Sequence, residues 1–194
     1  MRLLAIDQGS LDCGAAYFDG DRVEWTRRFS PPDGWPWGRR MRWITDALRA
    51  QLSDQEPPDV VAIEDVVAHR GHPNLQSLVT MGECRGWLAC AVEHWYPGIR
   101  QMAIAPATVR AAAGAPRDRA GALRRYQVVA SYMLGGAKVS EDESAAVCIG
   151  LAAQAELRHA ELLARAGIQP APKPRRRRAG RPTSASPQLV LGSA

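Results

Sequence analysis

The chain begins with MRLLAIDQGS (residues 1–10), a short apolar run that ends at Asp7 and is followed by Gln8 and Gly9. A run of this length and composition predicts a buried β-strand over residues 2–7. A carboxylate at the end of a buried strand loses free energy of solvation unless a cation compensates it. We therefore expect a cation beside Asp7, together with other acids that share it.

Composition divides the chain into two parts. Its 194 residues suffice for one domain with a hydrophobic core. Residues 170–194 carry six Lys or Arg and no acid, whereas the preceding residues carry 19 basic and 20 acidic ones. We expect a folded domain over residues 1–167 and a disordered Arg- and Pro-rich tail over residues 168–194. Nucleic-acid binding by the domain must then depend on local basic patches.

Two compositional features bear on the compartment. No window approaches about 20 apolar residues, so we expect no membrane span and no membrane partner. The four cysteines are far apart and form no CxxC pair, which is typical of buried thiols in a reducing compartment. The cytoplasm is therefore the expected location.

The apolar patterns predict five strands and five helices. Strands are predicted over residues 2–7, 13–18, 22–29, 60–64 and 99–105. Helices are predicted over residues 38–52, 75–95, a short stretch from 106, 122–134 and 140–165. Three strands precede the first helix, and the later strands alternate with helices. This order predicts an α/β fold with a mixed five-stranded sheet flanked by helices.

Acidic residues lie at the ends of two predicted strands and at the start of the last helix. Asp7 and Glu64 end strands, and Glu141, Asp142 and Glu143 follow Ser140. Each has a structural alternative, because strand ends meet water and SEDE fits a capped helix start. Together they favour a hard divalent cation, Mg²⁺ or Mn²⁺.

Five segments, in this order, resemble the RuvC-type Holliday junction resolvases of the RNase H-like superfamily. They are AIDQGS, VVAIEDV, QSLVTMGECRGWL, IAPATVRAAAG and SEDESAAVCIGLAA, and they span roughly residues 2–155. The resemblance implies an RNase H-like fold and a homodimeric endonuclease that nicks four-way or branched DNA. It also implies two Mg²⁺ per active site, replaceable by Mn²⁺, that promote hydrolysis of a phosphodiester bond.

Carried over by position, Asp7, Glu64 and Asp142 match three metal-binding acids of that family. A further acid usually stands three residues after the last of these, where this chain has Ala145. Because Glu141 lies four residues before Ala145, both share a helix face, and we expect Glu141 to compensate as a metal ligand. Glu143 is expected to cap the helix instead.

The remaining site residues are expected to contact DNA. Val67 replaces an aromatic residue that the family uses for base stacking, so His69 or Arg70 is expected to take that role. Arg125 matches a Lys near the start of the penultimate helix and is expected to be a catalytic cation, with Arg124 beside it. Arg85 could contact DNA or pair with Glu83 or Glu93. The other expected DNA contacts are Arg117 and Arg119 in a basic loop, and Arg175, Arg176, Arg177 and Arg178 in the tail.

Two alternatives remain open. A protein of this fold that lacks an acid at position 145 could bind branched DNA without cutting it. AIDQGS also resembles the phosphate-loop strand of sugar kinases, although those enzymes need two such lobes and this chain has length for one.

Overall fold

The computed structural model describes residues 1–67 and 75–169. The strands are β1 (Arg2–Asp7), β2 (Cys13–Asp19), β3 (Arg22–Phe29), β4 (Val60–Glu64) and β5 (Arg100–Ile104). The helices are α1 (Trp37–Leu52), α2 (Leu75–Trp95), α3 (Pro106–Ala113), α4 (Arg119–Met133) and α5 (Glu141–Arg165). Every predicted element is present, and α4 begins earlier than predicted, so that Arg119 lies in its first turn.

The five strands form one mixed sheet in the order β3-β2-β1-β4-β5. β1 pairs with β2 and β2 with β3 in antiparallel fashion, because short turns join them. β4 lies parallel to β1 and to β5, because helices connect these strands. The α/β class and the mixed sheet are confirmed.

Helices cover both faces of this sheet. The alternating residues Leu4 and Ile6 of β1 pack towards α1 and α2, whereas Leu3 and Ala5 pack towards α3, α4 and α5. In α1 the apolar residues at helical spacing all lie in the core: Met41, Ile44, Leu48 and Leu52. Asp7 continues this alternation and therefore belongs to the face covered by α3–α5.

Two glycines let neighbouring elements approach closely. A Cβ at Gly14 of β2 would overlap the backbone carbonyl of Asp142, and one at Gly150 of α5 would overlap the Phe18 ring. These contacts bring α5 directly onto the sheet. The start of α5 is thereby held against β2, which pairs with β1 through Asp7 and Gly14.

The start of α5 is capped as the sequence predicted. Ser140 accepts a hydrogen bond from the backbone N–H of Glu143, and the Glu143 carboxylate accepts one from the backbone N–H of Ser140. Thr26 of β3 also donates to Glu143, with 3.2 Å between the oxygens. Glu143 is therefore a structural cap.

The cysteines are free thiols, with Cys13, Cys84 and Cys148 buried and Cys90 exposed. Among the residues that the structure describes, no helix is both long enough and apolar enough to cross a membrane.

Candidate active site

Asp7 and Glu64 meet at one edge of the sheet. β1 and β4 are parallel, with Ile6 opposite Ile63, so the two carboxylates end neighbouring strands. Both line an open cleft of about 350 Å³ between the sheet and helices α3–α5. The predicted meeting of these two acids is thus present in the structure.

Within the part of the chain that the structure describes, no Arg or Lys side chain forms an ion pair with either acid. Burial, and then the nearby Glu64 and Asp142 carboxylates, hold the pKa of Asp7 well above its usual range. Burial raises the pKa of Glu64 to about 7, although the Arg110 guanidinium opposes this rise. A cation that neutralised both side chains would remove this penalty.

Asp142 lies close to this pair but is engaged by the protein itself. Burial raises its pKa, and the ion pair with Arg28 opposes the rise. The Nε atom of Arg28 lies 3.1 Å from Oδ2 of Asp142. Asp142 does not line the cleft as Asp7 and Glu64 do. The third acid therefore lies near the pair and forms an ion pair with Arg28.

The helix face expected to hold a fourth acid is occupied by Ala145, which forms part of the cleft wall. Glu141 is exposed at the start of α5 and does not line the cleft. The geometry gives no support to compensation by Glu141.

Three arginines face the acids across the cleft. Arg117 and Arg119 were expected at a DNA surface, and both line the cleft. Arg110 of α3 lines it as well and was missed by the sequence analysis. Arg110 could have been predicted from its position in α3, the short helix that follows β5. Because β4 and β5 are parallel, α3 begins at the same edge of the sheet where β4 ends in Glu64. The cleft therefore combines paired carboxylates with guanidinium groups.

Arg125 occupies a different position from the one predicted. Its Nε donates a hydrogen bond of 2.9 Å to the carbonyl of Ala113, the last residue of α3, and it does not line the cleft. This contact satisfies a free helix-end carbonyl. The structure thus gives Arg125 a structural contact, and its expected catalytic role stays a prediction. Arg124 lines a separate groove between α4 and Lys138.

Arg85 pairs with an acid that the sequence analysis did not consider. Its Nη1 lies 3.3 Å from Oδ1 of Asp65, the residue after Glu64. Glu93, one of the expected partners, instead accepts a hydrogen bond from the backbone N–H of Gly98. The Arg85–Asp65 ion pair joins α2 to the residue that follows β4. His69, Arg70 and Arg175–Arg178 lie outside the described residues.

The donor set fits a hard divalent cation only in part. Asp7 and Glu64 supply carboxylate oxygens, the ligands that Mg²⁺ prefers, at a place with uncompensated negative charge. Within residues 1–67 and 75–169, however, no three His, Cys, Asp or Glu side chains form a complete metal cluster. The candidate site is therefore a pair of carboxylates, Asp7 and Glu64, with the Asp142 carboxylate nearby.

Comparisons with known proteins support the fold. No protein-family model matches the chain, and no curated sequence matches it significantly. A structure of T. thermophilus RuvC in complex with Holliday junction substrate is 18% identical, with a TM-score of 0.65, covering 82% of this chain and 96% of that one. A second Thermus thermophilus RuvC structure is 19% identical, with a TM-score of 0.59, covering 87% and 98%.

A more distant structure shares the same architecture. The yeast mitochondrial Holliday junction resolvase Ydc2 is 15% identical, with a TM-score of 0.51, covering 86% of this chain and 84% of that one. The chain therefore has the RNase H-like fold of the RuvC-type resolvases, as the sequence analysis expected.

Proposed function

We propose that this protein is a divalent-metal-dependent endonuclease that cuts Holliday junctions and related branched DNA. The observation that carries the proposal is the Asp7–Glu64 pair, whose carboxyl groups have raised pKa values and lie in a cleft that arginines also line. The fold supports the substrate class, because T. thermophilus RuvC, a solved structure of this fold, is in complex with a Holliday junction substrate.

In the proposed mechanism, Asp7 and Glu64 would hold Mg²⁺, or Mn²⁺ in its place, and Asp142 would be a third ligand at a two-ion site. The bound ions supply charge neutralisation at the phosphate and a lowered pKa for water. Asp7 and Glu64 orient these ions, because the parallel register of β1 and β4 fixes both carboxylates on rigid strand ends.

The arginines of the cleft are proposed to hold the DNA backbone. Arg110, Arg117 and Arg119 line the same cleft as the acids, so a phosphate placed there meets guanidinium groups on one side. Arg is well suited to this contact, because its planar fork donates two hydrogen bonds to a phosphate. Hydrolysis in line would leave 5′-phosphate and 3′-hydroxyl ends.

The further parts of the proposal concern assembly and the tail. Two active sites in a homodimer would nick opposing strands of a four-way junction, as DNA recombination, repair or phage DNA processing requires. Residues 1–167 would form the catalytic domain, and residues 168–194 would add sequence-independent attraction to DNA. Deletion of the tail should then weaken binding most at low salt and leave the chemical step unchanged.

A substrate comparison tests this proposal. A labelled synthetic four-way junction and a linear duplex of the same arm sequence are incubated with the full chain, with and without Mg²⁺. Selective nicking of the junction that requires Mg²⁺ is expected. Equal cutting of both DNAs would contradict the junction specificity, and cutting in EDTA would contradict the metal dependence.

A non-catalytic DNA-binding protein is the second candidate. The specific observation in its favour is Ala145, which places a methyl group in the cleft wall where an acid was expected. Tight junction binding in Mg²⁺ without any strand cleavage would favour this candidate over the nuclease.

A further inference from the structure

The Arg28 side chain lies between two carboxylates, those of Asp12 in the β1–β2 loop and of Asp142 at the start of α5. Its Nη2 is 2.8 Å from Oδ2 of Asp12, and its Nε is 3.1 Å from Oδ2 of Asp142. Nε also lies 3.1 Å from Oδ1 of Asp12. One guanidinium group at the end of the edge strand β3 therefore joins the β1–β2 loop to the first turn of α5.

The contact of Arg28 with Asp12 is the better anchored of the two. Asp12 receives two of the three short contacts, and its Oδ1 also accepts a hydrogen bond of 2.5 Å from Ser30. Asp142 receives one contact through a single oxygen. The Arg28 guanidinium can therefore give up its contact with Asp142 and keep both contacts with Asp12. This change costs one partly exposed ion pair.

This arrangement separates Asp142 from the other two acids of the site. No guanidinium within ion-pair distance of Asp7 or Glu64 is found in the described part of the chain, whereas Asp142 is neutralised by Arg28. A cation that used Asp142 as a ligand would have to compete with Arg28 for Oδ2.

We propose that Arg28 is a positioning residue that occupies Asp142 in the metal-free protein and withdraws to Asp12 when a divalent cation takes Asp142. The inference rests on the proposed metal-dependent function and adds a regulation of its site. Arg28 holds the third ligand in place beside Gly14 and limits the affinity of the empty site for the cation.

The test measures metal binding without DNA or catalysis. Free Mn²⁺ is followed by electron paramagnetic resonance as it is titrated into the metal-free full-length protein. Two Mn²⁺ binding steps are expected at a two-ion site. Arg28→Gln should tighten the weaker of these two steps roughly two- to fivefold, the range set by one partly exposed ion pair. Asp12→Asn should weaken the same step, because Arg28 then loses its second carboxylate and stays on Asp142.

A matched control removes the same charge from the same strand. Arg27 is the neighbour of Arg28, but it donates to Gln51 of α1 and lies over the Phe29 ring, on the other face of the sheet. Arg27→Gln should leave the weaker Mn²⁺ step unchanged. Arg28→Lys keeps the charge without the planar fork, so it should give an affinity between those of wild type and Arg28→Gln. It also serves as the test variant if Arg28→Gln does not fold.

A double-mutant cycle separates the proposed competition from general electrostatics. If Arg28 mediates the effect of Asp12, then Asp12→Asn should have a clearly smaller effect in the Arg28→Gln background than in the wild type. The inference is overturned if Arg28→Gln binds Mn²⁺ no more tightly than Arg27→Gln, or if Asp12→Asn has the same effect in both backgrounds. Either result, with wild-type Mn²⁺ binding intact, leaves the proposed function standing. Absence of Mn²⁺ binding by the wild type would contradict both.

Discussion

Asp7 and Glu64 end two neighbouring parallel strands, and the register that pairs Ile6 with Ile63 brings both carboxylates into one cleft. Each carboxyl has a raised pKa, mainly because of burial. The protein therefore maintains two acids in a place where their charged forms are unfavourable. Such an arrangement is typical of a functional site that a cation completes.

The raised pKa of Glu64 predicts how stability depends on pH. In the folded state the Glu64 carboxyl has a pKa of about 7, whereas its ordinary pKa is 4.5. The folded state therefore binds more protons in this window, and the free energy of unfolding should fall by about 1–3 kcal/mol as pH rises through it. Chemical denaturation in EDTA at several pH values measures this fall.

A variant and a control identify the group responsible. Glu64→Gln should make the fall between pH 4.5 and pH 7 smaller, because it removes the Glu64 carboxyl and leaves the raised pKa of Asp7 to contribute the rest. Asp46→Asn, on the exposed side of α1, should keep the wild-type profile. A wild-type stability that rises with pH across this window would contradict the assignment.

Arg110 is expected to act on the substrate phosphate. Arg110→Gln should lower the single-turnover rate of junction cleavage roughly 10- to 100-fold, because a positioned cation is lost from the cleft. Arg100→Gln provides the matched control, since Arg100 is exposed at the opposite end of β5 from the cleft. Equal rates for the two variants would remove Arg110 from the proposed site.

Arg125 is expected to contribute to stability alone. Arg125→Gln should lower the free energy of unfolding by about 1 kcal/mol, because the carbonyl of Ala113 loses its hydrogen-bond donor. Its cleavage rate should equal that of the wild type at a temperature where both are folded. A large loss of cleavage rate with an unchanged free energy of unfolding would support the catalytic role predicted for Arg125 from the sequence.

The sequence predicted those features that depend on local patterns. The strands, the carboxylates of Asp7 and Glu64 at their ends, and the capping role of Glu143 follow from apolar runs and a helix-start motif. Arg110 and Arg125 could not be assigned in this way. Which of them faces the cleft depends on how α3 and α4 are rotated in the packed core, and spacing along the chain does not define that rotation.

The surroundings of Asp142 in the candidate site could not be predicted from the sequence either. Its place on the first turn of α5 was predicted, but its ion pair with Arg28 joins residues 114 positions apart. That pair depends on the close approach of α5 to Gly14, which no local pattern encodes. The sequence therefore indicated which acids to consider, and the packing determined which of them are free.

The central claim is that Asp7 and Glu64 form a metal-dependent nuclease site, and one measurement tests it most directly. Wild type and Asp7→Asn are compared for Mg²⁺-dependent nicking of a labelled four-way junction, at protein concentrations that bind the junction fully. We expect the wild type to nick the junction and Asp7→Asn to bind it without nicking. Wild-type activity in Asp7→Asn, or no nicking by the bound wild type in Mg²⁺ or Mn²⁺, would contradict the claim.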